Sequence, residues 1–229
     1  MNEYNLRPLW DELLKIYKVF ASICDKHHLR YYACGGTALG AVRHKGFIPW
    51  DDDMDMFMPR RDYTQFIELA KSELPEGFSW QSIEVDSGYG LPFGKVWNSG
   101  KRAAIDILPL DGIPKNRIHL FFWLAWRSLW RHLPQFLTNS QAARLKHQRF
   151  LAAIDFDGAD KVEDSKESAR RLWRTAWTPR TFGEPVWMDF DSVKMPLPHD
   201  WDEYLRGMMG DDYMQLPPPE KRVLCHGWV

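Results

Sequence analysis

Hydrophobic spacing along the chain alternates between helical and strand-like segments. Leu6, Trp10, Leu13, Leu14, Tyr17, Ala21 and Cys24 recur at spacings of three and four, which predicts an amphipathic helix with Pro8 near its start. Arg30–Cys34 is a short β-prone run leading into Gly35-Gly36-Thr37, and Ala38–Lys45 reads as a short helix stopped by Gly46. Asp53–Met58 alternates polar and apolar residues for most of its length and predicts a strand. Asp62–Leu74 predicts a second amphipathic helix, and Ala103–Leu108 another strand, ended by Pro109. Helical spacing then dominates over Ile118–Leu133, Gln141–Ile154 and Glu163–Trp177. The Pro-rich tail is expected to wrap the surface, with one short helix over Asp202–Met208. Such an alternation predicts an α/β (α+β) fold, a small sheet flanked by helices.

Composition narrows the function classes. At 229 residues and 45% apolar content the chain can build a full core without disulfides. Cys24, Cys34 and Cys225 form no CxxC pair, so neither a disulfide framework nor a zinc site is expected, and a reducing, cytoplasmic compartment is the default expectation. The first residues lack the basic-then-apolar pattern of a signal peptide, and no apolar run is long enough to span a bilayer. A formal net charge of −1 gives no bulk attraction to nucleic acid. That average conceals an asymmetry: residues 112–154 contain no Asp or Glu but seven Lys and Arg. Within this basic stretch, Ile118–Trp126 is apolar nearly all round. Further on, Arg127, Ser128, Arg131 and His132 oppose Trp126, Leu129, Trp130 and Leu133. Two readings are open: a helix lying in an anionic membrane interface, or a helix buried on the core with arginines at its rim.

The densest chemistry is acidic. Asp51, Asp52, Asp53 and Asp55 place four carboxylates within five residues, and in an extended segment Asp51, Asp53 and Asp55 share a face. Neighbours there, roughly 6–7 Å apart, repel by about 2–3 kcal/mol at an effective dielectric near 20. Mg²⁺ or Mn²⁺ would remove that repulsion, and such ions favour one or two carboxylates plus phosphate oxygens. An EF-hand loop fails, because Met56 stands where glycine is needed, Asp62 where glutamate is needed, and Pro49 blocks the entering helix. Asp106, between Ile105 and Ile107, is a candidate third acid, as metal ligand or general base, against the alternative of an edge-strand Asp bonded to backbone; Asp111 reads as a turn residue. Gly35-Gly36-Thr37 suits a phosphate-binding turn at a helix N-terminus, and Arg43, His44 and Lys45 add cationic donors.

The run from Gly35 to Asp55, GGTALGAVRHKGFIPWDDDMD, closely resembles the signature of the LicD family, within the nucleotidyltransferase-fold superfamily. The resemblance continues through Ile105-Asp106-Ile107-Leu108-Pro109-Leu110-Asp111 and returns at Gly210-Asp211-Asp212-Tyr213-Met214-Gln215-Leu216-Pro217-Pro218, leaving residues 116–180 unmatched. The family includes phosphocholine transferases and fukutin-type ribitol-phosphate transferases. The resemblance implies a nucleotidyltransferase-like core over residues 1–115, a basic, Trp-rich helical region over 116–180, and a C-terminal segment over 181–229 packing back as part of one unit. It implies transfer of a phospho-substituent from a CDP-linked donor to a hydroxyl of a cell-surface glycan or its lipid-linked precursor, at the inner face of the cytoplasmic membrane. Asp53 and Asp55 match the metal-binding DxD pair, Asp51 the first acid of the extended motif, and Asp106 the third acid from a neighbouring strand. Gly35, Gly36 and Thr37 match the donor-phosphate turn, and Arg43 or Lys95 would steady the transferred group, with Lys45 as a further substrate-binding cation. A DxD glycosyltransferase using a nucleotide sugar would share the metal but not the upstream Gly-Gly turn. A tryptophan-rich carbohydrate-binding module fits less well. Trp123, Trp126 and Trp130, like Trp173 and Trp177, fall at the helical spacing of core residues.

Overall fold

Helix α1 (Arg7–Lys26) forms where the spacing places it, with Pro8 in its first turn and Leu13, Leu14, Ile16, Tyr17, Phe20, Ile23 and Cys24 buried along one side. The computed structural model describes residues 5–100, 103–164 and 177–224. The chain continues through β1 (Tyr32–Ala33), α2 (Gly35–His44), β2 (Asp55–Pro59), α3 (Arg60–Glu73), β3 (Phe78–Gln81), β4 (Gly94–Asn98) and β5 (Ala103–Gly112). Helices α4 (Arg117–His132), α5 (Gln135–Thr138) and α6 (Gln141–Leu151) follow, then β6 (Val162–Asp164), the hairpin β7 (Val186–Phe190) and β8 (Val193–Leu197), and helix α7 (Trp201–Met209).

A mixed sheet in the order β1-β2-β5-β4-β3 organises these elements, with β6 also paired to β5. Among the described residues, only β2 and β5 run parallel; the other pairs are antiparallel. Strand parity divides the sheet into two faces. One carries Val96 and Ile105 and receives Trp80, which packs against Phe66 of α3, while Phe66 packs against Phe20 of α1. On the other face Phe57 is covered by Trp177, Phe182 and Tyr204. The same face continues towards Asp55, Asp106 and Lys95, which form the candidate site.

Several sequence expectations are corrected. Helix α2 begins three residues early, at Gly35, with Cys34 as its N-cap, and ends at Lys45 in the left-handed region rather than at Gly46. Strand β2 begins at Asp55, so the residues from Asp51 to Met54 form an irregular approach to it and not a strand. Strand β5 runs straight through Pro109. The amide N of Asp106 bonds to β2, at the Met54 oxygen, so by alternation residue 109 would donate towards the opposite edge. There the β4 pairing has ended at Ile107 and the β6 pairing starts at Leu110, so no ladder donor is lost. The tail is not a surface wrap: Phe190, Met195, Leu197, Tyr204 and Leu205 are fully buried in the main core.

The helix expected over Glu163–Trp177 lies mostly outside the described residues, as do Trp173 and Cys225. Glu163 belongs to strand β6, and Trp177 pairs with Val162 in a β-bridge. In α4, Arg127 is not a rim residue. It is buried, forms an ion pair with Glu163 and lies over the Trp123 ring at 4.6 Å. The Arg131 side chain lies outside the described set.

Asp111 is likewise no turn residue. It sits buried in β5 and holds Arg60 through two contacts of 2.7 Å. Removing one partner of an enclosed pair strands the other charge. Asp111→Ala is therefore expected to cost about 3–5 kcal/mol in urea unfolding. The double replacement Arg60→Met/Asp111→Leu should be markedly less harmful than the single change.

Candidate active site

The parallel register sets Asp55 opposite Asp106, and the antiparallel register sets Asp106 opposite Lys95. Three candidate side chains thus stand in one row across β2, β5 and β4, on one sheet face. The Lys95 ammonium pairs with Asp106 Oδ1 and lies over the rings of Phe93 and Trp97. A cavity of about 270 Å³ opens beside this row, lined by Asp52, Asp53, Lys95, Ala104 and Asp106, with Leu9 and Leu13 of α1 on its apolar side.

The first turn of α2 is tied to the start of β2. Cys34 N donates to the Asp55 oxygen at 3.2 Å, and Asp55 N donates to Thr37 Oγ1 at 2.9 Å. Thr37, in the first turn of α2, thereby holds the acidic strand. Gly35 has φ +53°, a left-handed conformation that favours glycine, and its N–H donates to the Tyr204 hydroxyl at 2.9 Å. A Cβ on Gly36 would collide with Asp51 Oδ2, so the space this glycine leaves is filled by the Asp51 carboxylate. Asp51 is fixed from the other side by Trp10 Nε1, which donates to its backbone oxygen at 2.8 Å while the indole stacks on Phe47.

Burial, followed by the neighbouring carboxylates Asp53, Asp55 and Asp52, pushes the Asp51 carboxyl up to about 9. The residues expected to share an acidic face are therefore electrostatically close, although only Asp55 lies in the strand. Among the described residues, no group of three or more His, Cys, Asp or Glu side chains forms a ready-made metal shell. The donor set still fits Mg²⁺ or Mn²⁺: every candidate ligand is a hard carboxylate, and the charge crowding at Asp51 is what a divalent cation would relieve. Such ions complete their coordination with water and phosphate rather than an all-protein cage.

The cationic residues divide. Lys95 is in the site. The Arg43 guanidinium donates to the backbone oxygens of Tyr213 and Gln215 at 2.8 and 3.0 Å, joining α2 to the Gly210–Pro218 segment and leaving the expected phosphate role without support. Burial and the charge of Arg222 lower its pKa. Lys45 ends α2 some ten residues from Gly35, about 15 Å along the helix, where it is exposed near Asp189. The structure does not bring it to the acids. Trp10 and Tyr204, which hold the two sides of the site, had no local signal in the sequence; each looks like an ordinary helix aromatic until its partner is seen.

Residues 28–138 match the family model described as LicD/FKTN/FKRP, nucleotidyltransferase domain. These residues are a LicD-type nucleotidyltransferase domain. The match includes the Gly-Gly turn, all the candidate acids and Lys95, and extends into α4 and α5. Over 99% of its length the chain is 26% identical to the lipopolysaccharide cholinephosphotransferase LicD of Haemophilus influenzae, covering 97% of that protein. Uncharacterized proteins of Rickettsia prowazekii and Rickettsia typhi are 30% and 37% identical over 42% and 48% of the chain, each match covering 32% of the relative. The expectation of a LicD-like transferase is borne out at this level, and so is the α+β fold.

An acid with a folded-state pKa above its unfolded value retains a proton that the unfolded chain releases, so stability falls as pH rises between the two values. Metal-chelated protein should lose stability between about pH 4 and about pH 9 through Asp51, and Asp51→Asn should flatten that slope. Urea unfolding of both proteins in chelator across this range measures it.

Proposed function

We propose that this protein transfers phosphocholine from a CDP-linked donor to a hydroxyl of a cell-surface glycan or its lipid-linked precursor, on the cytoplasmic side, with Mg²⁺ or Mn²⁺. The observation that carries the reading is the row Asp55–Asp106–Lys95, of which Asp106 and Lys95 line a cleft together with Asp52 and Asp53. Similarity over nearly the full length to the Haemophilus influenzae cholinephosphotransferase supports phosphocholine as the transferred group and a glycan as acceptor.

Asp53 and Asp55, with Asp51 beside them and Asp106 on the adjacent strand, would hold the cation. When bound, it would neutralise the donor diphosphate. The remaining work falls to the chain's own groups. Gly35 and Gly36 let the first turn of α2 lie close against the acids, and the positive end of that helix would favour the donor's phosphates. Lys95 offers its ammonium to the oxygens of the transferred phosphate, and its pairing with Asp106 keeps it in place. Asp106 accepts the proton of the attacking hydroxyl. The acceptor oxygen forms the new P–O bond as the bond to CMP breaks, and CMP leaves with the electron pair.

The test is a donor screen with CDP-choline, CDP-ribitol, CDP-glycerol and CDP-ethanolamine, read by CMP release and product mass. CDP-choline should give a phosphocholine ester and CMP; no CMP release from any of these donors, with sugar transfer from a nucleotide sugar instead, would refute phosphotransfer. Asp53→Asn and Asp55→Asn should each lower turnover by roughly 10²–10³-fold with the fold intact. Near-wild-type turnover of Asp53→Asn at saturating Mg²⁺ and Mn²⁺ would disprove the metal role.

A further inference from the structure

Four large apolar side chains of α4 stand in solvent. Ile118, Phe121, Phe122 and Leu129 are 65%, 66%, 61% and 52% exposed. With Ala125, also exposed, they follow the spacing i, i+3, i+4, i+7 and i+11, which makes one continuous stripe along the helix. The opposite side of α4, through Trp123 and Arg127, is buried. The stripe is therefore not the side by which the helix joins the fold.

Helix α6 extends the surface. Trp126 packs on Phe150, and Trp130 stacks on His147 with centroids 4.2 Å apart. Phe150 is exposed together with Lys146 and Arg149, and the three share one side of α6 by their spacing. Burial and the charge of Arg127 pull His147 down to about 4, so the cations on this side are Lys146 and Arg149. An apolar stripe thus lies beside a basic edge, in a stretch of 43 residues, 112–154, without one carboxylate side chain.

An exposed stripe of this kind marks a surface that something covers. Charge selects the occupant. A second copy of the chain would bring its own Lys146 and Arg149, with no carboxylate in either stretch to pair with them. An anionic lipid surface pairs with every cation and accepts the apolar stripe. No described helix is long and apolar enough to cross a membrane, so α4 would lie along the surface. We propose that α4 docks in the interface of an anionic membrane, with Ile118, Phe121, Phe122 and Leu129 inserted and Lys146 and Arg149 on the headgroups. This assignment does not depend on which group the active site transfers.

Sedimentation with vesicles tests it directly, using the full chain without substrate. The protein should pellet with phosphatidylcholine vesicles containing phosphatidylglycerol, much less with phosphatidylcholine alone, and less at high salt. The exposed double substitution Phe121→Asp/Phe122→Asp should cut the partition about tenfold or more, with thermal unfolding unchanged. Lys146→Gln/Arg149→Gln should weaken binding to the anionic vesicles selectively. Equal recovery in the supernatant with and without phosphatidylglycerol vesicles would overturn the proposal. So would a dimer in sedimentation equilibrium that the two Phe substitutions disperse, since the stripe would then belong to a second copy.

Discussion

Asp55 and Asp106 stand side by side because the parallel ladder between β2 and β5 puts them in register. Side-chain flexibility cannot separate two carboxylates whose backbones are hydrogen-bonded neighbours, and Asp51, Asp52 and Asp53 crowd the same end of the sheet. Much of the surrounding architecture answers that crowding. Lys95 pairs with Asp106 from the next strand, Thr37 takes the Asp55 amide, and Asp51 is pressed into the space left by Gly36. What remains uncompensated appears at Asp51, whose carboxyl is held far above its ordinary range. Carboxylates crowded in this way are what a bound divalent cation would relieve.

The two ends of β5 use charge differently. At its start Asp106 faces a cleft, half-enclosed and next to a lysine. Near its end Asp111 is sealed against Arg60, and one strand over Glu163 is sealed against Arg127. These enclosed pairs fix how β5, β6, α3 and α4 meet, and their cost is the desolvation of each charge. The same residue type, aspartate in an apolar strand, thus lines an open cleft at one end and is scaffold at the other. Access to the cleft makes the difference.

The C-terminal segment completes the site from a distance. Tyr204 caps the Gly35 amide, and the backbone of Tyr213 and Gln215 engages Arg43. The third block of family resemblance therefore reads as the clamp that holds α2 in place behind the acids. Its contacts explain why Arg43 is present without facing the cleft. On the far side, α4 turns Arg127 inward and Phe121 and Phe122 outward, the reverse of an ordinary surface helix.

By itself the sequence determined the acidic cluster, the Gly-Gly turn, the place of Asp106 in a strand and the helices α1, α3, α4, α6 and α7 to within a few residues. Each of these rests on local information: charge density, a motif of adjacent residues, or a long periodic run. Strands β3, β4, β7 and β8 escaped it, because short strands containing Gly94 or Pro196 carry little alternation of their own and form only against neighbours. The tertiary structure alone decided partners. It paired Asp106 with Lys95, buried Asp111 against Arg60, turned Arg127 inward to Glu163 and took Arg43 away from the site. An arginine or aspartate is equally at home in water, in an ion pair or at a ligand. Which of these it adopts depends on groups tens to hundreds of residues away, and only the folded backbone brings those groups together.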